Sequence, residues 1–105
     1  MNCCLWASAN ARISIGDNTG IGPGTVIVSS NHSFAKDRAY TDLPLNEKDI
    51  TIGNNVWIGA NSVILAGARI GDGCIIGAGC VVARAIPEDS VVVSGNRTLS
   101  IAKRR

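Results

Sequence analysis

A six-residue period from Ile52 to Pro87 constrains the fold more than any other feature of this sequence. In rows of six, the segment reads IGNNVW, IGANSV, ILAGAR, IGDGCI, IGAGCV and VARAIP. An aliphatic residue opens every row, glycine follows it in four rows, and a small or short residue takes the fifth place in the first five. A period of six fits neither the 3.6 residues of a helical turn nor the alternation of a strand. It predicts repeated units, each a short strand followed by a sharp turn.

Three such rows complete one triangular coil, so each residue should stack on the residue three rows later. The predicted pairs are Ile52 with Ile70, Ile58 with Ile76, Ile64 with Val82, and Gly53 with Gly71. The aliphatic residue should point inward, and the glycine should let the backbone bend where a Cβ would be costly. The frame continues upstream to Ile15, and counting back from there gives Ala9 and Cys3 as poorer openers. These features predict an all-β solenoid.

The period breaks between Ser33 and Asp49, where SFAKDRAYTDLPLNEKD is polar and charged. We expect one extruded loop at about 33–50, and long loops of this kind are either functional or disordered. After Pro87 the frame ends, and the C-terminal turn and tail should occupy 88–105, with a last strand within PEDSVVVSGN. A length of 105 residues predicts a single domain, 1–105.

Composition excludes several classes of function. A formal charge of +2 is too small to predict binding to nucleic acid or a membrane surface. The longest apolar stretch, around Cys74 to Ala83, is far shorter than the roughly 20 residues of a spanning helix. The first residues, MNCCLWASA, lack a basic leader, so we expect a cytoplasmic protein.

The four cysteines are predicted to be free thiols. Cys74 and Cys80 occupy the fifth place of their rows, where a small buried side chain is expected. Cys3 and Cys4 are adjacent, so in a strand they would point to opposite faces. Neither pair has metal-ligand spacing with a histidine partner, and no metal site is predicted.

The rows resemble the hexapeptide-repeat acyltransferases. VWIGAN, GARIGDG, IGAGCVV and IPEDSVVVSGN are most similar to the branch of galactoside, maltose and antibiotic O-acetyltransferases. The resemblance implies a left-handed parallel β-helix, and the left hand comes from the resemblance alone because parallel crossovers are normally right-handed. It also implies an acetyl-CoA-dependent O-acetyltransferase acting on a hydroxyl of a small molecule such as a sugar or antibiotic, less readily on an amine. The family forms homotrimers with sites at subunit boundaries.

His32 is the only histidine, and it is the sixth residue of its row, immediately before the loop. Acetyl transfer from a thioester needs a base for the acceptor's proton, and histidine suits that role near neutral pH. A lone histidine is more often an incidental surface residue. The position of His32 in SSNHSF matches that of the family's catalytic histidine. The resemblance therefore implies that His32 is the general base. A single histidine also argues against the three-histidine zinc site of carbonic anhydrases with the same fold.

Trp57 occupies the sixth place of its row and should face outward. An exposed tryptophan indicates binding or an interface. It is interpreted either as a trimer contact or, from the resemblance, as a wall of the substrate and cofactor channel beside the thioester. Asn2 lies five rows before His32, where sugar acetyltransferases have an asparagine that contacts the acceptor.

The resemblance places the pantetheine arm of acetyl-CoA along small residues of two coils and its phosphates near the basic tail. The candidate cofactor-binding residues, besides Trp57, are Gly59, Ala60, Gly77, Ala78, Lys103 and Arg104. Both groups have simpler interpretations, since the turns themselves need small residues and a basic tail is often merely solvated.

A second hypothesis is a truncated, non-catalytic trimeric β-helix that serves as a scaffold or a CoA-binding module. The resembled family usually carries further coils and a helical segment before this point. It also usually reads GNPAK after the last strand, whereas this sequence reads GNRTL.

Overall fold

The computed structural model describes residues 3–7, 11–32, 45–95 and 98–103, and the regular structure in these ranges is entirely β-strand. The strands are β1 (Cys4–Trp6), β2 (Ile13–Ile15), β3 (Gly20–Ile21), β4 (Val26–Val28), β5 (Ser30–His32), β6 (Leu45–Glu47), β7 (Ile50–Ile52), β8 (Trp57–Ile58), β9 (Val63–Ile64), β10 (Arg69–Ile70), β11 (Ile75–Ile76), β12 (Val81–Val82), β13 (Ala85–Ile86), β14 (Ser90–Gly95) and β15 (Thr98–Lys103). Most have two or three residues, as a turn in every six-residue row requires.

The chain winds around three parallel sheets in rotation, so each circuit is a three-sided coil. We name the sheets by their outward residues. The valine face contains β1, β4, β9 and β12, and the polar face contains β2, β7, β10 and β13. The tryptophan face contains β3, β8, β11 and β14, to which β15 adds as an antiparallel strand.

The register confirms the predicted stacking of like residues. Ile52 pairs with Ile70, and the two other aliphatic pairs predicted above are also in register. Their side chains fill the interior, where burying one aliphatic side chain contributes about 1.5–3 kcal/mol. The aliphatic residues of this core are Ile27, Ile50, Ile52, Val56, Ile58, Ile64, Ile70, Ile76, Val82, Ile86 and Val92.

The frame upstream of Ile15 differs from the predicted one. Leu5 pairs with Ile27, which is 22 positions later (27 minus 5). The predicted frame places paired residues three rows of six, or 18 positions, apart. The first strand is therefore out of the six-residue frame by four residues, and the prediction of Cys3 as an opener was wrong, whereas Ala9 lies outside the described residues. Leu5 lies on the edge strand of the valine face and is 51% exposed, and the connection from Leu5 to Ile15 takes ten positions (15 minus 5) instead of six.

The frame also shifts after Val82, inside the row VARAIP, whereas it was predicted to run unchanged to Pro87. Ile70 pairs with Ile86, and Ile76 pairs with Val92. The two residues of each pair are 16 positions apart, two fewer than the 18 positions of three full rows. The turn before Ile86 is two residues shorter than a regular one, and IPEDSV is a further row. The coil therefore continues to β14, which is the last strand predicted within PEDSVVVSGN, and a further strand, β15, follows where a tail was predicted.

The extruded segment begins with an antiparallel hairpin. Ser30 pairs with Glu47 and His32 with Leu45, so β5 and β6 form a ladder outside the three faces. The segment thus leaves the coil at Ser30, slightly before the predicted 33–50 boundary, and the coil resumes at Ile50. Residues 33–44 lie outside the described part of the chain. His32 belongs to this hairpin and not, as predicted, to the sixth place of a coil row.

The second and fourth places of each row restrict which residues can occur there. Only the fourth place requires an unusual backbone conformation. Residues at the fourth place, such as Asn55 and Asn61, have positive φ (57° and 58°), a region that asparagine and glycine tolerate best. Glycine at the second place has another cause. A Cβ on Gly59 would lie 2.5 Å from the nitrogen of Ala78 in the next coil. These glycines permit close stacking of coils, and the predicted bend occurs two residues later.

Replacing Gly59 with alanine should destabilise the fold by about 1–3 kcal/mol, because the new methyl group would force two backbones apart. Urea unfolding followed by circular dichroism would measure this loss. Ala78→Ser is the matched control, since Ala78 is exposed at the same corner and should tolerate one more atom. Equal stability of Gly59→Ala and the parent protein would contradict the steric explanation.

The fifth place holds small side chains that bond to the neighbouring coil. Thr25 Oγ1 donates to the carbonyl of Gly59 at 3.0 Å, and Ser62 Oγ donates to that of Gly77 at 3.1 Å. Cys74 and Cys80 are buried at equivalent places. All four cysteines are free, as predicted. Burial raises the pKa of the Cys80 thiol, which makes it a poor nucleophile at neutral pH.

Candidate functional site

His32 lies at the end of β5, close to the point where the hairpin leaves the coil. Ser29 occupies that corner: its N–H donates to the carbonyl of Trp6, and its carbonyl accepts from the N–H of Lys48 at 3.2 Å. This corner joins the valine face to the polar face. His32 is three positions after Ser29, a reach of at most about 11 Å between their Cα atoms. The side chain of His32 lies outside what the structure describes, so its outward orientation remains a prediction.

Trp57 faces outward from the tryptophan face, as its place in the row predicts. Its side chain is 51% exposed, which is high for a large aromatic residue. In the sheet it pairs with Gly20 on one side and Ile75 on the other. Together with Asn18, Asn55 and Val56, these residues line a surface recess. An exposed ring of this size indicates a bound ligand or a partner.

The small candidate residues lie together at the corner between the tryptophan and valine faces. Gly59 lies directly against Ala78 of the next coil, because a Cβ on Gly59 would be 2.5 Å from the backbone nitrogen of Ala78. Ala60 accepts a hydrogen bond from the N–H of Gly79 at 2.9 Å. The two small pairs, Gly59-Ala60 and Gly77-Ala78, are therefore adjacent in space and begin two residues after Trp57 and Ile75. The Gly59 position is required by coil stacking, so it is weak evidence for a ligand by itself.

The remaining candidates are at the ends of the described chain. Lys103 is exposed at the end of β15, opposite Ser90. Asn2 and Arg104 lie outside the described residues, so their assignments remain predictions.

The topology separates the two main candidates within one chain. The hairpin root lies at the corner between the valine and polar faces, and Trp57 lies on the third face, across the coil from that corner. The apolar core lies between them. Within one coil, the backbone of His32 and the ring of Trp57 therefore lie on opposite sides.

Sequence reasoning missed a third feature, the composition of the valine face. The outward positions on its strands are all apolar, and Val81 and Trp6 are 53% and 65% exposed. These positions are Cys4, Trp6, Val26, Val28, Val63 and Val81. The polar face instead carries Ser14, Thr51 and Arg69 outward. The signal was in the sixth place of the rows, but it appears only once the rows are assigned to faces.

Two classes of site have no support among the described residues. No cluster of three or more histidine, cysteine, aspartate or glutamate side chains there could hold a metal ion. The same ranges contain no helix long and apolar enough to cross a membrane.

The repeat matches a known family. The model described as "Bacterial transferase hexapeptide (six repeats)" matches residues 49–84. A search of curated proteins found no significant match. The repeat and the coil are similar to those of the hexapeptide-repeat acyltransferases, and the resemblance inferred from the sequence is confirmed.

Solved structures of this class share the fold. A galactoside acetyltransferase in complex with coenzyme A has 26% identity and a TM-score of 0.76, over 98% of this chain and 64% of that one. A hexapeptide-repeat acetyltransferase from Vibrio cholerae O1 biovar eltor, complexed with acetyl coenzyme A, has 28% identity and a TM-score of 0.76, over 98% and 63%. A maltose O-acetyltransferase from Clostridium difficile 630 has 21% identity and a TM-score of 0.69, over 95% and 70%.

These similarities confirm the predicted left-handed parallel β-helix. The chain spans between 63% and 70% of the length of these three structures. The likeness therefore concerns the coil that this chain contains, and activity is argued from its own residues below.

Proposed function

We propose that this protein is an acetyl-CoA-dependent O-acetyltransferase that acts on a hydroxyl of a small molecule such as a sugar or antibiotic. The observation that carries the proposal is a hexapeptide coil, similar to two structures solved with coenzyme A or acetyl coenzyme A, whose extruded hairpin begins with a strand that ends at a histidine. The cytoplasm, where acetyl-CoA is available, is its expected location.

In the proposed reaction, His32 accepts the proton of the acceptor hydroxyl as its oxygen attacks the acyl carbonyl. A backbone N–H stabilises the negative charge that develops on the carbonyl oxygen. The C–S bond then breaks, and the protonated His32 gives its proton to the departing thiolate, which leaves as the free thiol of coenzyme A. The acyl group thus moves from sulfur to oxygen with no change in oxidation state.

We assign the pantetheine arm of the thioester to the surface beside Trp57. Ala78 is exposed and Ala60 is partly exposed at the adjacent corner, so a ligand can approach the backbone closely there. The ring of Trp57 and the side chain of Ile75 supply apolar contacts along the same face. Lys103 and Arg104 are assigned to the phosphates, where a cation forms strong charge-assisted hydrogen bonds.

A site that uses both His32 and Trp57 requires a second copy of the chain. Because the two residues lie on opposite sides of one coil, the His32 hairpin of one copy must approach the tryptophan face of another. The valine face adjoins the hairpin corner, and an exposed apolar parallel sheet is normally covered. We infer that the valine face is the contact surface. At each boundary, the valine face of one copy would lie against the tryptophan face of the next copy.

Contacts between two different surfaces close into a ring when the rotation between neighbouring copies closes, and the resemblance implies a rotation that closes after three copies. The proposed assembly is a homotrimer with three sites at its boundaries. Light scattering should therefore give three times the 10.9 kDa of one chain. A monomer would contradict the proposed site, because no single chain would complete it.

The first test is thermal unfolding with and without saturating acetyl-CoA. A ligand that binds only the folded state, at about 100 times its dissociation constant, stabilises by roughly 2.7 kcal/mol. We expect a clear rise in Tm, with desulfo-CoA, which lacks the thiol, as a control for binding without transfer. A folded trimer with no shift would contradict the acetyltransferase proposal and favour the scaffold hypothesis.

A further inference from the structure

Gly20 departs from the pattern of its row. It occupies the sixth place of IGDNTG, and in the structure it lies on β3 of the tryptophan face. The sixth place of other rows carries a full side chain, such as Val63 or Ile75. Glycine in a strand weakens it, because it loses more backbone freedom on folding and offers no side chain for packing.

The backbone does not explain this glycine. Gly20 has no positive φ, unlike the fourth-place glycines such as Gly24 and Gly79. A Cβ on Gly20 would meet no neighbouring main-chain atom, unlike one on the second-place glycines Gly22 and Gly59. Coil geometry therefore permits any residue at position 20.

The side chain of Trp57 does explain it. A Cβ on Gly20 would lie 2.6 Å from Cε3 and 2.8 Å from Cζ3 of Trp57, closer than real contacts allow. Among the glycines whose surroundings the structure describes, Gly20 is the one whose replacement would meet this ring. Trp57 pairs with Gly20 across the strands, so its ring rests on the bare backbone of β3.

This arrangement determines where the ring lies relative to Ile75. Ile75 pairs with Trp57 on the side opposite Gly20, and both line the recess described above. A ring that leans onto β3 leans away from β11. A side chain at position 20 would push the ring toward β11 and over Ile75.

We propose that Gly20 is a positioning residue: it holds the Trp57 ring against β3 and leaves Ile75 open to the apolar acyl and pantetheine part of an acyl-CoA thioester. The inference rests on the proposed function, since it assigns the recess to that ligand. It adds a residue that never touches the reacting atoms but sets the shape of the surface that binds them.

The test uses Trp57 as its own reporter. In a Trp6→Phe background, Trp57 is the remaining tryptophan, so fluorescence reports on it alone. Gly20→Ala and Gly20→Val should change its emission maximum and its quenching by acrylamide, with valine having the larger effect. Ser14→Val is the matched control, because Ser14 is an exposed outward residue on the edge strand of the polar face, away from Trp57.

Binding of coenzyme A, measured by calorimetry, is the second readout. Gly20→Val should weaken it by about fivefold to tenfold, and Ser14→Val should leave it unchanged. An unchanged emission spectrum in Gly20→Val would overturn the positioning role. An altered spectrum with unchanged affinity would show that the ring position does not matter for this ligand, and would also overturn the proposal.

Two further comparisons separate other causes. If Gly20→Val only damaged β3, it would lower Tm equally with Trp57 present or replaced by alanine. A positioning role predicts that Gly20→Val is harmless to Tm in the Trp57→Ala background, because the obstructing ring is gone. If the parent protein binds no coenzyme A, the proposed function fails as well, whereas a loss confined to Gly20→Val leaves that function intact.

Discussion

Replacing His32 with alanine should lower turnover by about two to four orders of magnitude, the usual contribution of a positioned general base. Affinity for acetyl-CoA should stay within a factor of about two, because His32 acts on the acceptor's proton and holds no part of the thioester. Turnover is measured by the release of free thiol from acetyl-CoA, and affinity by calorimetry on the same preparations.

Two companion variants make this result specific. His32→Gln keeps a hydrogen-bonding side chain of similar size but cannot accept a proton at neutral pH, so it should be as inactive as alanine. Asn31→Ala alters the adjacent residue of β5 and should retain turnover. Activity in His32→Gln close to that of the parent would remove His32 from the role of base.

Mixing two inactive variants should restore activity, because each proposed site takes His32 from one copy and Trp57 from the next. His32→Ala and Trp57→Ala chains with different affinity tags are co-expressed, and trimers holding both are purified through both tags. In any such ring, one boundary of three joins an intact His32 to an intact Trp57, so about one third of the parent activity should return.

The complementary mixture provides the control. Chains carrying both substitutions are co-expressed with the parent chain and purified in the same way. If His32 and Trp57 acted within one chain, this mixture would keep one or two active sites per trimer, and the mixture of single variants would have none. The proposed boundary site would be contradicted if the mixed trimers of the single variants were inactive while the control mixture was active.

The coil was predictable because its rules are local. Ile52, Ile58 and Ile64 open rows of equal length, so their partners one coil later followed from counting, and the pairing confirms them. Counting failed where a turn changed length, near Leu5 and again before Ile86. A turn that is longer by four residues or shorter by two leaves no local signal, because the register is set by pairing between strands that lie a whole coil apart.

The candidate site was only partly predictable. The place of Trp57 in its row correctly gave its exposure. The same reasoning wrongly placed His32 in a coil row, because the pairing of Ser30 with Glu47 joins two distant parts of the sequence with no periodic pattern between them. The sequence analysis did not single out Gly20, because its closeness to the Trp57 ring leaves no mark in the repeat.

The sequence by itself determined the repeating unit: an inward aliphatic residue, a glycine where coils touch, a residue tolerant of positive φ, and a small side chain at the corner. Each requirement acts within one row, so each leaves a periodic mark. The tertiary structure alone decided which face each row occupies. That assignment depends on the summed lengths of all preceding turns and of the hairpin. It gathers the valines on one face and separates His32 from Trp57, and it brings the ring of Trp57 down onto Gly20.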